Sequence, residues 1–586
     1  MSMAAEPQLW KYVLAGLLLA LVAVPLWSLL VLWGLQPEYL LQESELKLRH
    51  VLWLVGLPVA LVPLTVSGSW LGASTRAIEQ RVQAKQSAAA QKTAHASQQQ
   101  EQARREYVLE VIGLGVTLDQ YRQGALWEVL KQGSPYASIR EQDPKKYPWS
   151  ADDKDGQQGL RSSHSLENGA GPSLKYWGVP TFAAMSPADD PKRPTSATDP
   201  VLGVPAGAMS AGMAFHLFVA AGWEQSERPD RVLARVFDFF DEHPDVPYVV
   251  LSASDGLYFR DMYRPKGTPP LIRDGYYVPP MPDASMLLVL ARRERVDAVR
   301  PYVFGDMNYF EASVDDMNRY GYAHRLGLFY GDFKELLPKP EGVLSRPPTA
   351  PEWIEAARDF AQRNLHPTGL SLLATKLNPM AAEPPPSDFR PTPWFPIPWT
   401  KRQLDEFDQL PTLGFLHRPV FVPTVDEHGQ PLKRRDARAA ALAAGWQQAL
   451  QTLPEAKRAS APTRVFVATG GQVEQTTALT SVLSAWAEHG GPEPDLSQPT
   501  QWIDTDARLG NTGAATWFMQ MAIGAIASYR DGGASAAINL RDPAEASIVF
   551  VTPPSPEKIR SQQHIKGGDV FRRHATPAID PANYQQ

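Results

Sequence analysis

Ser210 offers the most direct route to catalysis in this sequence. It lies in PAGAMSAGMAF, one position away from the G-x-S-x-G pattern that sets a nucleophilic serine on a tight turn between a strand and a helix. Ala208 replaces the first glycine, and the preceding VLGVP is a poor strand. The small neighbours of Ser210 favour close helix packing, and the alternative is a serine nucleophile for acyl or ester chemistry.

Other patterns with chemical potential are weaker. Gly113 and Gly115 resemble a dinucleotide loop after a strand, but Leu118 stands where the third glycine belongs. A strand end at which the glycines relieve steric strain is therefore the better interpretation. The sequence contains no GxxxxGK[ST] phosphate loop and no HExxH metal helix. A single histidine on an apolar helix, such as His216, is usually a hydrogen-bonded core residue. We therefore expect no cofactor and no metal.

Composition narrows the function further. The 586 residues are 44% hydrophobic and carry a net charge of -6, which indicates a packed globular protein without the concentrated basic face that nucleic acid requires. There is no cysteine, which excludes disulfides, thiolate metal sites and a cysteine nucleophile.

Two uncharged runs near the N-terminus, residues 13–35 and 51–75, are each long enough to cross the hydrocarbon layer of a membrane as a helix. A cleaved signal peptide is the alternative for the first run, but its apolar part is too long and a second span follows. Basic residues are more frequent after the second run than in the loop between the runs. The positive-inside rule therefore places the rest of the chain in the cytoplasm.

The remaining chain divides by composition. Residues 76–106 are rich in Ala and Gln and predict a solvated helical stalk. Apolar runs then alternate with amphipathic stretches in residues 107–336 and 401–555, separated by a proline-rich insertion at 337–400 that disfavours long helices. A C-terminal tail occupies 556–586. Alternating strands and helices predict an α/β protein whose sheet is covered by helices.

Individual elements follow from the same periodicity. We predict strands at 107–118, 247–254, 285–293, 414–424, 463–471, 534–540 and 547–554, and helices at 124–132, 230–243, 437–453, 478–490 and 516–530.

Three segments resemble the β-ketoacyl synthases, which have the thiolase-like fold. VIGLGVTLDQYRQGALWEVLKQGSPYASI is similar to the opening strand, loop and helix of that family, and RVFVATGGQVEQTTALTSVLSAW is similar to a strand, histidine loop and helix. TDARLGNTGAATWFMQMAIGAIASYRDGG resembles the loop and alanine-rich core helix. The resemblance implies a thiolase-like, duplicated α/β architecture with one half on each side of the insertion, and possible pairing as a homodimer.

The catalytic residues of that family do not carry over. A ketosynthase needs a cysteine thiolate at a helix N-terminus, and this chain has no cysteine. The first catalytic histidine would fall near Ala468, which cannot transfer a proton, and the second would fall at Asn511. Some relatives use asparagine there as an oxyanion donor. Together the three losses imply an inactive fold reused for binding, because a scaffold does not dictate its chemistry.

A second resemblance extends over most of the chain. The two apolar runs, the stalk, FDFFDEHPDVPYVVLSASDG and ASYRDGGASAAINLRDPAEASIVFVTPPSPEKIRSQQ look like the type VI lipase adaptor family of proteobacteria. This resemblance implies a non-catalytic adaptor that holds a phospholipase effector and hands it to the VgrG spike of the type VI secretion system.

Aromatic residues are concentrated in PWFPIPW, where Trp394, Phe395 and Trp399 alternate with proline. Capping of a core is the first interpretation of this segment. Binding of a partner is the alternative, because aromatic side chains supply much of the energy at protein interfaces.

Overall fold

The computed structural model describes residues 8–34, much of 61–86, 107–147, 154–171, 178–187, nearly all of 218–303, 337–338, 346–365, most of 388–399 and 401–572. It divides into two compact units, residues 1–104 and 105–586. The stalk predicted at 76–106 lies almost entirely outside the described residues, as does the first part of the second predicted span.

The described part of the first unit contains one helix that is long and apolar enough to cross a membrane. This helix, α1, spans Leu9–Gly34 and includes Pro25. Its candidate spanning segment is Leu9–Trp27. The finding concerns length and composition, and it matches the first of the two runs that the sequence predicts.

The second unit has helices and strands in alternation. The strands are β1 Val108–Leu118, β2 Tyr121–Arg122, β3 Val179–Met185, β4 Phe218–Gln225, β5 Tyr248–Asp255, β6 Ala284–Ala291, β7 Gly414–His417, β8 Val420–Pro423, β9 Arg464–Ala468, β10 Trp502–Asp504, β11 Ser535–Asn539 and β12 Glu545–Thr552. The α-helices are α2 Gly124–Leu130, α3 Lys154–Gly169, α4 Arg231–Glu242, α5 Leu257–Met262, α6 Ala350–Leu365, α7 Lys401–Asp408, α8 Arg435–Leu450, α9 Glu455–Arg458, α10 Val473–Glu488, α11 Thr505–Arg508, α12 Thr516–Asp531 and α13 Pro556–Ser561. Short 3₁₀ helices are Arg293–Ala298, Arg300–Tyr302, Gly513–Ala515 and Ile565–Gly568.

The strand order reveals an internal duplication. Along the sheet the strands run β10-β9-β11-β12-β7-β1-β6-β5-β3-β4, with β2 paired to β1 and β8 paired to β12. The first half, β1 and β3–β6, and the second half, β7 and β9–β12, each place their third, second, fourth, fifth and first strands side by side in that order. In each half the second, third and fourth strands are parallel and the fifth is antiparallel to the fourth and the first. The predicted pair of related α/β halves is therefore present.

The first strands of the two halves pair with each other, but they are built differently. β1 is continuous except for a bulge between Val111 and Gly113. Its counterpart is divided into β7 and β8, where we expected one strand over 414–424. Pro419 lies at the break, and proline cannot donate a hydrogen bond to the sheet.

Gly113 and Gly115 lie inside β1, not in a turn after it. A Cβ atom at Gly113 would be 2.1 Å from the carbonyl oxygen of Gly169, and one at Gly115 would be 1.8 Å from that of Ser165. The two glycines thus allow α3 to pack directly on the strand. This corrects the interpretation of the pair as a relieved strand end.

The core continues into the proline-rich segment. α6 is a 16-residue helix where the sequence predicted none of that length, because Pro351 occupies its first turn and no other proline interrupts it. Trp394, Phe395 and Trp399 are only 5%, 4% and 2% exposed. They belong to the main core cluster, so the partner-binding interpretation of these side chains is wrong and the capping interpretation describes them.

Candidate functional site

Acidic and basic side chains converge where strands of the first half end. β1 and β5 finish at this edge, and β6 starts there because it runs antiparallel to both. Loop 509–516 of the second half reaches the same place before α12. We call the six ionic residues of this edge the strand-end network: Asp119, Asp255, Asp283, Arg140, Arg161 and Arg260.

Asp255 is the residue of the network that joins the two halves. It is the last residue of β5, and its side chain is fully buried. One carboxylate oxygen accepts hydrogen bonds from its neighbour Gly256 N (2.7 Å) and Arg260 Nε (3.0 Å). The other accepts from Arg260 Nη2 (2.8 Å) and from Ala514 N (2.7 Å), in the second half. These four hydrogen bonds fix the carboxylate between the two halves.

Gly513 makes this joint possible. Its φ of +55° lies in the left-handed region, and a Cβ there would be 1.9 Å from Asp255 Oδ2. Only glycine brings the loop backbone this close to the carboxylate. On the solvent side, Arg260 also binds Glu227 through two hydrogen bonds of 2.8 and 2.9 Å. The hydrogen bonds from Arg260 lower the pKa of Glu227. Burial alone would lower the pKa of Arg260, but the hydrogen bonds and charges of Glu227 and Asp255 outweigh it and raise that pKa.

Asp119 holds the loop that follows α2. Its backbone adopts a φ of +47°, and its side chain is 2% exposed. The carboxylate accepts a hydrogen bond from Arg140 Nε at 3.0 Å and a short one from the Tyr147 hydroxyl. Burial, followed by the charge of Asp119, raises the pKa of Tyr147. Arg140 also donates to the carbonyl of Pro279 at 2.7 Å, which ties a second loop to the same point.

Asp283 and Arg161 form an ion pair in which both residues are buried, each only 1% exposed. Arg161 Nη1 lies 3.2 Å from Asp283 Oδ2, and Arg161 Nε donates to the Asp119 carbonyl at 3.1 Å. Burial raises the pKa of Asp283 to about 7, against the opposing charge of Arg161. The network therefore contains one carboxyl group whose protonation near neutral pH is controlled by its surroundings.

Ala468 and Asn511 lie on the adjoining edge of the second half. Ala468 ends β9 and is fully buried, and the next two residues, Thr469 and Gly470, donate backbone hydrogen bonds of 2.8 and 2.7 Å to Asp506. Asn511 is exposed, and its side-chain oxygen accepts from Gly513 N (3.0 Å) and from Arg541. The two positions are thus in neighbouring loops.

These contacts give Asn511 a structural role in the described chain. Its amide oxygen is occupied by Gly513 and Arg541, and Arg541 Nη1 also donates to the Gly513 carbonyl at 3.1 Å. Asn511 thereby fixes the loop that reaches Asp255. Ser210 and His216 lie outside the described residues. No group of three or more acidic, histidine or cysteine side chains that could hold a metal occurs in the ranges that the structure describes.

Two family models match the segments that build this edge. Residues 107–274 match the N-terminal domain of "Type VI lipase adapter protein Tla3", and residues 413–553 match its C-terminal domain. The chain belongs to this family. In this Tla3 family member the first match covers β1–β5 and ends before β6, the second covers β7–β12, and Asp255 and Gly513 come from different matches.

Solved structures similar to this Tla3 family member are ketosynthases and thiolases. They include the oxazolomycin ketosynthase domain OzmH KS8 (10% identity, 80% of this chain and 100% of that chain, TM-score 0.37). The ishigamide ketosynthase/chain length factor has 8% identity over 76% and 99%, with a TM-score of 0.36. The Acat5 thiolase from Ascaris suum has 10% identity over 76% and 100%, with a TM-score of 0.32.

The strand-end network did not emerge from the sequence. Its acids and arginines are dispersed over residues 119–283, and no spacing pattern connects them. Two local signals were present: an aspartate directly after the buried strand at Asp255, and a glycine after asparagine in LGNTG. Neither signal identifies its partner, because the Asp255 carboxylate and Ala514 are 259 residues apart.

Proposed function

We propose that this chain is a non-catalytic adaptor that binds a type VI lipase effector and directs it to the VgrG spike. The observation that carries the proposal is its membership of the Tla3 family of type VI lipase adapters, through both halves of the body.

Several features of the site favour binding over catalysis. The chain has no cysteine for an acyl-enzyme, and Ala468 is a buried apolar residue where the ketosynthase resemblance places the first histidine. The carboxylates of Asp255, Asp119 and Asp283 each lie against a guanidinium group. Carboxylates held in this way fix the loops that meet at this edge.

The proposal includes attachment to the bacterial inner membrane with the body in the cytoplasm. Supporting it are the apolar helix α1 and the basic residues that follow the second apolar run. Lipid would then contact residues 13–35 and 51–75. A reporter fused after Gln586 should give a cytoplasmic signal, and a periplasmic signal would reverse the orientation.

We place the effector surface on the loops that leave the carboxyl ends of the strands. Large apolar side chains are exposed there, Tyr276 (58%) and Val473 (72%). Tyr136 (66%) is also exposed, and its hydroxyl donates to the Leu496 carbonyl at 3.2 Å, in the loop before β10. Tyr136 lies on a segment joined to the second half through the hydrogen bond from Ile139 N to the Arg508 carbonyl at 3.0 Å. Exposed aromatic and aliphatic side chains at a fixed position are typical of protein interfaces.

Co-purification with a type VI lipase effector and with VgrG tests the function. The full chain should retain both partners, and absence of both would refute the adaptor role. Tyr136→Ser and Tyr276→Ser should reduce effector recovery about tenfold or more, the range of an interface hot spot. Lys457→Ser is the control, because Lys457 is exposed ahead of the amino end of β9. Equal loss in the control would reject this surface.

The competing function is an acyl- or ester-processing enzyme that uses Ser210. A serine-reactive phosphonate distinguishes the two functions. We expect no labelling of the full chain, and labelling that Ser210→Ala abolishes would replace the adaptor by an esterase.

A further inference from the structure

A cleft of about 530 Å³ lies on the body beside the bulge of β1. Its walls come from four segments: the bulge at Ile112–Leu114, the end of α3 at Glu167 and Asn168, the chain from Glu406 to Leu413, and the C-terminal turn at Ile565–Val570. This volume is within the range of small-molecule sites in proteins. Much of the lining comes from residues outside both family matches, on the segments before 413 and after 553.

Lys566 is the unusual residue of the cleft. Its φ of +48° and ψ of +32° are left-handed, a conformation that costs a non-glycine residue about 1 kcal/mol or more. Gly567 and Gly568 follow with φ of +70° and +96°. A glycine at 566 would adopt this turn without strain, so the turn alone does not account for lysine. Strained residues of this kind are concentrated at functional sites.

The Lys566 side chain is half-buried in the wall of the cleft. It forms no hydrogen bond or ion pair with any residue that the structure describes, although it lines the cleft. Burial lowers its pKa, while the more distant charges of Asp569 and Glu167 act in the opposite direction. A partly buried cation without a close partner is costly, and an anionic ligand group would remove that cost.

The other polar residues that line the cleft favour a cationic ligand group. Glu167 and Glu406 contribute two carboxylates, and Gln409 contributes a primary amide. A purely anionic ligand would be repelled by the two glutamates, and a purely cationic one by Lys566. The rest of the wall is apolar, with Leu114, Leu410, Leu413, Ile565 and Val570 among its residues.

We propose that this cleft binds a zwitterion with an apolar tail. Its anionic group lies against Lys566, its ammonium group faces Glu167 and Glu406, and its tail lies along the aliphatic wall. A phosphoethanolamine lipid and a free apolar amino acid share this chemistry, and the volume of the cleft favours the amphiphile.

Isothermal titration calorimetry of the full chain, held in amphipol, tests the proposal with four probe compounds that carry one or both of the two charges. These are octylammonium, octyl phosphate, octyl phosphoethanolamine and leucine. Octyl phosphoethanolamine should bind with one site per chain and more tightly than either singly charged probe. Tighter binding of leucine would assign the same cleft to an amino acid. Octyl phosphate that binds as tightly as the zwitterion, or no binding at all, would overturn the proposal.

Variants connect the binding to the cleft. Lys566→Gln and Glu167→Gln should each weaken octyl phosphoethanolamine about tenfold to a hundredfold, the effect of losing a hydrogen bond to a charged group. Lys566→Gly separates folding from binding, since it relieves the strained turn and should leave the thermal midpoint unchanged or higher while binding is lost.

Lys558→Gln is the matched control, an exposed lysine on α13 that does not line the cleft. It should bind the probe like the parent chain. Unchanged binding in Lys566→Gly, or equal loss in Lys558→Gln, would show that Lys566 does not hold the ligand.

Discussion

The two halves of the body share one strand order but stabilise buried charge in different ways. In the first half, Arg140 and Arg161 each lie against a buried carboxylate. In the second half, the buried Arg464 donates to the Gly532 carbonyl at 2.6 Å and to the Ser535 hydroxyl at 3.2 Å, and burial lowers its pKa to about 10. Arg508, 1% exposed, donates to the carbonyls of Leu130 and Gln132, both at 3.1 Å.

The partners of these arginines explain the difference. Arg140 and Arg161 lie in the connection between β2 and β3, residues 123–178, and their ion pairs with Asp119 and Asp283 hold that connection at one strand edge. Arg464 and Arg508 use carbonyl and hydroxyl acceptors instead, and Arg464 Nε and Arg508 Nε and Nη1 have no hydrogen bond to any residue in the described ranges. The same topology thus contains two kinds of buried arginine.

Substitution at the contact between the two halves, where Gly513 lies against Asp255, should cause the largest loss of stability. Gly513→Ala places a methyl group against the Asp255 carboxylate and forces a left-handed φ on alanine, so we expect a loss of about 4 to 5 kcal/mol in unfolding free energy. Urea unfolding of the full chain measures it. Gly532→Ala is the control, because Gly532 has a φ of +73° but no atom within 4 Å of the added Cβ. It should cost about 1 kcal/mol, and equal losses would mean that the contact with Asp255 is unimportant.

The second-largest loss of stability is expected at a charged residue of the first half, Asp119. Asp119→Asn leaves the Arg140 guanidinium, 7% exposed, without a carboxylate, so the unfolding free energy should fall by about 4 kcal/mol. Asp436→Asn makes the same change in the exposed ion pair with Arg434 of the second half. It should leave the urea midpoint nearly unchanged. Similar midpoints for both variants would remove the distinction between the halves.

The buried, neutral His417 of the second half should make the folding stability depend on pH. Burial lowers the pKa of His417 from 6.5 to about 4, and the imidazole bonds to the Thr452 carbonyl (2.9 Å) and the Thr552 hydroxyl (3.0 Å). Between these two pH values the unfolded chain binds a proton that the folded chain does not. The contribution of His417 to stability therefore falls as the pH drops from about 6.5 to about 4, by about 3 kcal/mol in total. Asp283 acts in the opposite direction, because its raised pKa lets the folded chain bind a proton that the unfolded chain does not.

His417→Gln tests the assignment of this pH dependence. An amide can both donate to the Thr452 carbonyl and accept from the Thr552 hydroxyl, but it does not titrate. From pH 7 to pH 4 the urea midpoint of the variant should fall less than that of the parent chain, or rise, and equal changes in both chains would attribute the dependence to other groups.

The smallest effect is expected for Arg464→Met. The Arg464 guanidinium lacks a carboxylate partner, and its Nε has no hydrogen bond to any residue in the described ranges. An apolar side chain of similar length should therefore change the unfolding free energy by less than about 1 kcal/mol. A loss as large as that of Asp119→Asn would place Arg464 in the same class as the paired arginines.

Periodicity predicted the element types well where apolar runs were long. The strands β1, β5, β6, β9, β11 and β12 and the helices α2, α4, α8, α10 and α12 overlap the segments named from the sequence, and α10 begins five residues earlier than predicted. β3, β4 and β10 were not predicted, since VPTFAAM and WID are short and lack strict alternation. α6 was missed because the prolines around it obscured a proline-free stretch.

The sequence by itself determined the alternation of strands and helices, the apolar N-terminal helix and the lack of a thiol, because each depends on residue type or on neighbours a few positions away. Tertiary structure decided the rest. Trp394 and Trp399 are core residues and Tyr136 is not, and Asp255 is engaged by a backbone amide 259 residues away. Burial and ionic pairing depend on which distant surfaces meet, and no local pattern records that meeting.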